Sequence, residues 1–430
     1  MMTLEKLYIT FLAQGQKVTT DTRKIEPGQI FFALKGPNFD GNQYALDAIK
    51  QGAKYAVVDD RSLEGEQGII LVDDVLKTLQ ELALYHRRKL NIPLIAITGS
   101  NGKTTSKELI REVLATKFKV ACTKGNLNNH IGIPLTLLDI KAYEDISIVE
   151  MGANHQGEIA DYCGYTEPNY GVITNIGKAH LEGFGGVEGV IKGKTELFRY
   201  LIQNPNSKIF INSDDSVLMN HKNGLFYIPY GTHEDIPIYG RLDNSESDFL
   251  TVRVFDGDTD YIIRTNLTGD YNLYNVLLAY TIGRYFEVDS KKIVQALEAY
   301  QPSNSRSQVL KRDQLTIILD AYNANPSSME VALHNLSKFA KKKIAILGAM
   351  KELGEFSEAE HKKILDLALA LKIDYIVAVG PEFADILPSS KILFFDTTDR
   401  AKQWFKGETF GQATILIKGS RGMALEKLLE

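Results

Sequence analysis

Ile95-Ala96-Ile97-Thr98-Gly99-Ser100-Asn101-Gly102-Lys103-Thr104-Thr105 is the stretch on which the reading of this chain turns. An apolar, β-branched run enters a glycine turn. Thr104 to Thr116 then reads as a helix, with Leu109, Ile110, Val113 and Leu114 on one face. A strand, a glycine loop and a helix N-terminus together make an anion site, because loop N–H groups point inward and the helix dipole favours negative charge. Gly99, Ser100, Asn101 and Gly102 are placed to cradle phosphates. Lys103 can reach the outer phosphates of a nucleotide, and Thr104, followed by Thr105, can offer a hydroxyl to Mg²⁺. Two residues separate the glycines, where the usual phosphate loop has four. The competing reading is a tight turn with a surface lysine; the apolar strand before it and the hydroxyl pair after Lys103 favour the nucleotide.

The 430 residues are enough for two or three domains. With 44% hydrophobic and 24% charged residues the composition is that of a globular protein. A net charge of −5 supplies no basic field for nucleic acid. Two cysteines, Cys122 and Cys163, make no disulfide framework and suit a reducing compartment. The first residues lack a signal peptide's apolar core, and no run approaches the ~20 apolar residues of a membrane span. A cytoplasmic enzyme is expected.

Residues 1 to about 90 read as a small α/β unit, with strands at Ile30–Leu34 and Tyr55–Val58 and helices at Tyr44–Gln51 and Val75–Leu90. Thr20-Asp21-Thr22-Arg23 and the Lys35-to-Asn42 loop each read either as a solvated turn or as ligand-binding backbone. From 91 to 302 strands and helices alternate. Ile146 to Gly152 is a strand ending in Glu150; Gly171 to Ile176 is another, followed by His180; Lys208 to Asn212 is a third. Ligands of open parallel sheets sit at the carboxyl ends of strands. Glu150, His180 and the Lys103 loop share that position, which favours metal or nucleotide chemistry over three unrelated polar groups. Leu181 to Gly189 reads as a mobile glycine-rich segment. Ile191 to Leu201 then reads as a helix, on which Lys194 alone suggests a surface lysine. Phe226 to Arg264 is β-rich. Asn272 and Asn275 share a helix face, as an adenine reader or as a cap.

Residues 303 to 430 form a second alternation, with strands Thr316–Leu319, Lys343–Leu347, Tyr375–Val379, Ile392–Phe395 and Thr414–Ile417. Asp320, the Gly348-to-Gly354 segment and Lys418-Gly419-Ser420-Arg421 fall at strand ends on one sheet edge.

These motifs resemble the Mur ligases, the ATP-dependent amide-forming enzymes of peptidoglycan precursor synthesis, over nearly the whole chain. The shared features are Thr20-to-Arg23, the Thr98-to-Thr105 loop, Glu150, His180, Lys194, the Asn272/Asn275 pair and Arg306. Gly125-to-Pro134, Asp320-to-Met329, Leu347-to-Gly354 and Lys418-to-Arg421 are similar to members that join D-alanyl-D-alanine to UDP-N-acetylmuramoyl tripeptide. The resemblance implies three domains: an N-terminal UDP-sugar-binding unit (1–90), a central phosphate-loop ATPase with a mostly parallel sheet (91–302) and a Rossmann-like C-terminal unit (303–430).

It also implies residue roles. Lys103 and Thr104 would hold the outer phosphates and one Mg²⁺, while Glu150 and His180 would hold a second. Lys194 would be carbamylated, turning a cation into an oxygen ligand. Arg306 would neutralise the transferred phosphoryl group. Asn272, Asn275 and Asp320 would hold the adenosine. Thr22, Arg23, Asn42, Asn128 and Asn129 would contact the nucleotide sugar, with Tyr322, Asn323 and Asn325 on the substrate side. A monomer acting on small molecules is implied. The chain departs from the family at Tyr271 and Asn42, where relatives carry His, and at Ser305, where Gly is usual. Two other readings are a folate-directed ligase of the same superfamily and a phosphate-loop NTPase switch. The Thr20-to-Arg23 and Asp320-to-Met329 segments argue against the first; Lys194 and three domains facing one site argue against the second.

Overall fold

The computed structural model describes residues 2–243, 248–302, 305–387 and 389–430; Ser303, the expected start of the C-terminal section, lies outside the described residues. Three α/β units follow one another. In the first, strands Val18–Thr19, Ile30–Phe32, Tyr55–Val58 and Ile69–Leu71 pair in that order, all parallel. In the last, strands Gln308–Arg312, Leu315–Asp320, Ala413–Lys418, Lys342–Gly348, Tyr375–Val379 and Ile392–Phe395 lie side by side. Only the first of these six is antiparallel to its neighbour.

The central sheet places the chemistry. Its spatial order is Phe226–Tyr230, Lys208–Asn212, Tyr170–Ile173, Leu94–Thr98, Ile146–Glu150, Val120–Cys122, with every pair parallel. Leu94–Thr98 is buried throughout, as a strand covered on both faces must be. Its alternate residues enter different cores. Ile95 and Ile97 pack with Leu109, Ile110, Val113 and Leu114 of the Lys103–Ala115 helix, whereas Leu94 and Ala96 join Ile133, Leu137 and Ile159 on the other side. The expected apolar face of that helix is therefore the buried one. A three-stranded antiparallel sheet, Ile238–Leu242, Thr251–Asp256 and Thr259–Arg264, accounts for most of the β-rich stretch.

Two expectations need correction. The glycine-rich segment after His180 folds as helices Leu181–Phe184 and Val187–Lys194, and Glu196–Leu201 is a further helix rather than the continuation of one that starts at Ile191. The glycines serve contact: a Cβ on Gly189 would lie 1.8 Å from the Phe184 carbonyl oxygen. Lys194 is no surface lysine, being only 1% exposed.

The Val75–Leu90 helix is shared between two units. It packs on the Leu4–Ala13 helix and also on the Gly132–Asp139 and Glu158–Thr166 helices of the central unit. Buried Arg87 donates to the Thr166 and Glu167 carbonyls at 2.9 and 3.2 Å and to Asn169 Oδ1 at 2.9 Å. His86 Nε2 meets the Ile140 carbonyl at 2.8 Å, leaving Nδ1 to accept from Tyr8 Oη at 3.1 Å. Among the described residues no helix is long and apolar enough to cross a membrane.

Candidate active site

The Leu94–Thr98 strand has Ile146–Glu150 on one side and Tyr170–Ile173 on the other, with Ile97 opposite Glu150 and Thr98 opposite Ile173. That register brings the glycine loop, Glu150 and the segment leading to His180 to one edge. The loop needs its glycine: Gly99 has φ +138°, and a Cβ there would stand 2.0 Å from Thr174 Oγ1. Asn175 holds the loop from the neighbouring strand end, accepting from Asn101 N at 3.0 Å and donating to the Asn101 carbonyl at 3.0 Å.

Lys103 folds its amine back onto the loop, donating to the Gly99 carbonyl at 2.6 Å and the Ser100 carbonyl at 3.3 Å. Burial pushes the amine down to about 8; Glu150 opposes this and Arg306 reinforces it. Thr104 donates to Glu150, 2.9 Å from Oε2. Asn128 Nδ2 donates to Glu150 Oε1 at 2.9 Å. The pattern reading missed Lys107. It is 3% exposed, lies 3.6 Å from Glu150 Oε2 and donates to the Thr123 carbonyl at 2.8 Å. Its signal was present: Lys107 stands one helical turn beyond Thr104, on the face that meets Glu150.

A cleft of about 380 Å³ opens over the loop. Ser100 to Thr105, Asn128, Asn129, Glu150, His180, Asn272, Asn275 and Arg306 all line it, as do Asp320, Tyr322, Asn323 and Asn325 from the C-terminal unit. Most residues singled out from the sequence thus converge. The two asparagines form a chain, Asn275 Nδ2 to Asn272 Oδ1 at 2.8 Å and Asn272 Nδ2 to the Thr268 carbonyl at 2.8 Å, while Ser106 donates to Asn275 Oδ1 at 2.9 Å. Tyr271 bonds Ser307 at 2.9 Å. The Arg306 guanidinium lies 3.7 Å from the Tyr322 ring centroid. Lys418, opposite Asp320 in the sheet, donates to its carboxylate at 2.5 Å. Asn325 caps the Pro326–Ser337 helix and donates to Asn101 Oδ1 at 2.8 Å, so the C-terminal unit touches the phosphate loop itself. His180 is hydrogen-bonded to Glu352, again across the two units.

Five of the expected residues lie apart from the cleft lining; one of them, Gly99, forms the base of the loop beneath it. Lys194 sits behind its wall: its amine donates to the Ala153 carbonyl at 3.1 Å and lies 5.0 Å from the Phe184 ring centroid. Burial, then the charge of Lys103, hold that amine well below its ordinary value. Thr22 and Arg23 lie on the first unit, where Arg23 pairs with Asp21 at 2.8 Å. Asn42 is buried, with its amide already used on Asp40 and Asp59 at 2.7 and 2.8 Å. Asn129, though it lines the cleft, accepts from Gly132 N at 2.8 Å at a helix start.

The donor set suits Mg²⁺ bound together with phosphate. Thr104 and Glu150 offer oxygens side by side, and magnesium is usually held by one or two carboxylates plus substrate phosphates. Among the described residues no group of three or more His, Cys, Asp or Glu side chains is placed to hold a metal ion by itself.

Comparison with known proteins gives a consistent result. The profile of the Mur ligase family, catalytic domain, matches residues 16–90; the Mur ligase middle domain matches 97–283; the Mur ligase, glutamate ligase domain, matches 305–421. The UDP-N-acetylmuramoyl-tripeptide--D-alanyl-D-alanine ligase of Bacillus subtilis (strain 168) is 34% identical over 431 residues, covering 96% of this chain and 92% of that protein. Its Escherichia coli (strain K12) counterpart is 33% identical with the same coverage. A crystal structure of MurF from Acinetobacter baumannii superposes with a TM-score of 0.88 at 29% identity, covering 96% of this chain and 92% of that one. MurF ligase from Thermotoga maritima in complex with ADP gives 0.86 at 27%, covering 97% and 96%.

Proposed function

The chain belongs to the Mur ligase family, and from that premise we propose that it joins D-alanyl-D-alanine to the terminal carboxylate of UDP-N-acetylmuramoyl tripeptide at the cost of ATP. The observation that carries the reading is one cleft walled by two units, with a phosphate loop on one side and the Asp320-to-Asn325 segment on the other. It works as a cytoplasmic monomer on small molecules, with three domains at 1–90, 91–302 and 303–430.

The chemistry follows from what the substrates lack. A carboxylate oxygen is a poor leaving group, so the tripeptide carboxylate first takes the γ-phosphoryl group as an acyl phosphate. The amine of D-alanyl-D-alanine then attacks the acyl carbon, and phosphate leaves. Lys103 swings from the Gly99 and Ser100 carbonyls to the phosphates, which present stronger acceptors. The Gly102–Thr104 helix start adds its N–H groups. Arg306, stacked on Tyr322, faces the transferred charge. Asn272, Asn275 and Asp320 hold the adenosine; Asn128, Asn129, Thr22, Arg23 and Asn42 belong to the nucleotide-sugar side, the last through its loop's backbone, since its amide is internally bonded. Tyr322, Asn323 and Asn325 lie toward the incoming dipeptide.

Thr104, Glu150 and His180 would hold two Mg²⁺ ions, which supply positive charge against the phosphate oxygens. Lys194 would carry a carbamate. Its buried amine, held toward the neutral form, is the species that reacts with CO₂, and a carbamate would put an oxygen anion in place of a cation that Lys103 repels. The deciding experiment is phosphate release from ATP with UDP-N-acetylmuramoyl tripeptide, with and without D-alanyl-D-alanine. Release that needs the dipeptide is expected; release indifferent to it, or equal rates with D-Ala or D-Glu, refutes the reading.

A further inference from the structure

The bond between His180 and Glu352 joins groups that chain topology places far apart. His180 comes from the central unit, at the start of the Leu181–Phe184 helix, and lines the cleft. Glu352 comes from the loop after the Lys342–Gly348 strand. That loop is pinned from beneath. Met350 N donates to His361 Nε2 at 2.8 Å, Lys351 N to Ser420 Oγ at 2.9 Å, and Ala349 N to the Val379 carbonyl at 2.9 Å. It is also docked on the helix it faces, where Glu182 N donates to the Glu352 carbonyl at 3.3 Å. A Cβ on Gly354 would stand 3.1 Å from Glu182 Cγ, so the two segments are in close contact. Lys351, the neighbouring charge, faces away and pairs with Glu382.

The bond engages Nδ1 of His180, and among the described residues no bond to Nε2 stands beside it. In the neutral ring, a proton on Nδ1 donated to the carboxylate leaves the lone pair on Nε2. Histidines that bind metals generally donate their second ring N–H to such a partner, which fixes both tautomer and ring orientation. Here the partner belongs to the other unit, so the histidine acquires its fixed form only when the C-terminal unit is seated.

We propose that Glu352 is a positioning residue: it holds His180 with Nε2 free to meet the divalent cation of the nucleotide site, and so makes seating of the C-terminal unit a condition for completing that site. The inference rests on the reading of His180 as a cation-facing group. A carboxylate that instead received the ammonium of the incoming dipeptide would be indifferent to His180, and the two roles separate experimentally.

The test is a double-mutant cycle on the full chain, using Mn²⁺ with β,γ-methylene-ATP as the probe and electron paramagnetic resonance to count free Mn²⁺. Glu352→Ala should weaken Mn²⁺ binding about 10-fold and lower kcat with the KM for D-alanyl-D-alanine unchanged. Glu352→Gln, whose amide oxygen still accepts from Nδ1–H, should stay near wild type. In a His180→Ala background, or His180→Asn where that variant fails to fold, Glu352→Ala should add nothing. Additive effects, a Gln variant as impaired as Ala, or a raised dipeptide KM with unchanged Mn²⁺ affinity would each overturn the proposal. Dipeptide-dependent phosphate release by the wild type tests the ligase reading separately, since the Mn²⁺ cycle needs no turnover.

Discussion

Replacing Lys107 by Met should destabilise the protein far more than the loss of one surface charge. The Lys107 amine and Glu150 carboxylate are 3% and 2% exposed and 3.6 Å apart. At an effective dielectric of about 20, two unit charges at that distance attract by about 5 kcal/mol. Part of this is recovered, because Lys107 no longer has to be desolvated and Met fills its volume. Glu150 also keeps its bonds from Thr104 and Asn128. Breaking a buried pair from one side typically costs 3–5 kcal/mol, since the remaining charge is left uncompensated, and the retained bonds put this case at about 3 kcal/mol. Urea unfolding followed by circular dichroism should show the midpoint falling with the slope unchanged. Lys107→Met combined with Glu150→Gln should recover most of the loss, because no unpaired charge is then buried. A single-variant cost under about 1 kcal/mol, or a double variant as unstable as the sum of the singles, refutes the argument.

Three further outcomes follow. Gly99→Ala should abolish binding of an ATP analogue by calorimetry while circular dichroism stays native, because the Cβ collides with Thr174 and the φ of +138° suits glycine alone; unaltered affinity would refute this. Lys194→Ala should remove ligation, and short carboxylic acids should restore part of it by supplying the oxygen anion; a bare Lys194 amine in a nucleotide-bound crystal would contradict the carbamate. Stability should fall as pH drops below 6.5, because burial lowers the pKa of His86 and His361. The unfolded chain then takes up protons that the folded one refuses, a slope of up to about 1.4 kcal/mol per pH unit for each. Thermal midpoints that do not decline from pH 7 to 5, or that decline equally with both histidines changed to Gln, would dismiss it.

The phosphate loop was legible because its information is local: glycines, lysine and hydroxyls occupy consecutive positions after an apolar run. Glu150 and His180 were legible from strand ends, where parallel sheets collect ligands. Lys107 was not, because its meaning depends on a carboxylate two strands later in the chain. Lys194 suggested a surface lysine by residue type alone and was singled out only by the resemblance; its burial, on a helix where Gly189 and Gly193 pack closely on Phe184, is seen in the folded structure. Asn42 was expected to contact the nucleotide sugar from a loop open to two readings; only the folded unit reveals Asp59 as its partner. The Gln308–Arg312 strand, at a sheet edge and half polar, carries no clear period.

The shared Val75–Leu90 helix has a consequence for how the units divide their work. Arg87 and His86 fasten the first unit to the central one through buried bonds to backbone carbonyls, contacts that water cannot easily replace. The C-terminal unit meets the phosphate loop through exchangeable side-chain bonds such as Asn325 to Asn101. The seam between the first two units is thus built on buried backbone acceptors, while the phosphate loop and the C-terminal unit meet side chain to side chain. On the proposed ligase reading, that seam would give the long nucleotide-sugar chain a standing platform and leave the C-terminal unit to present the short amine.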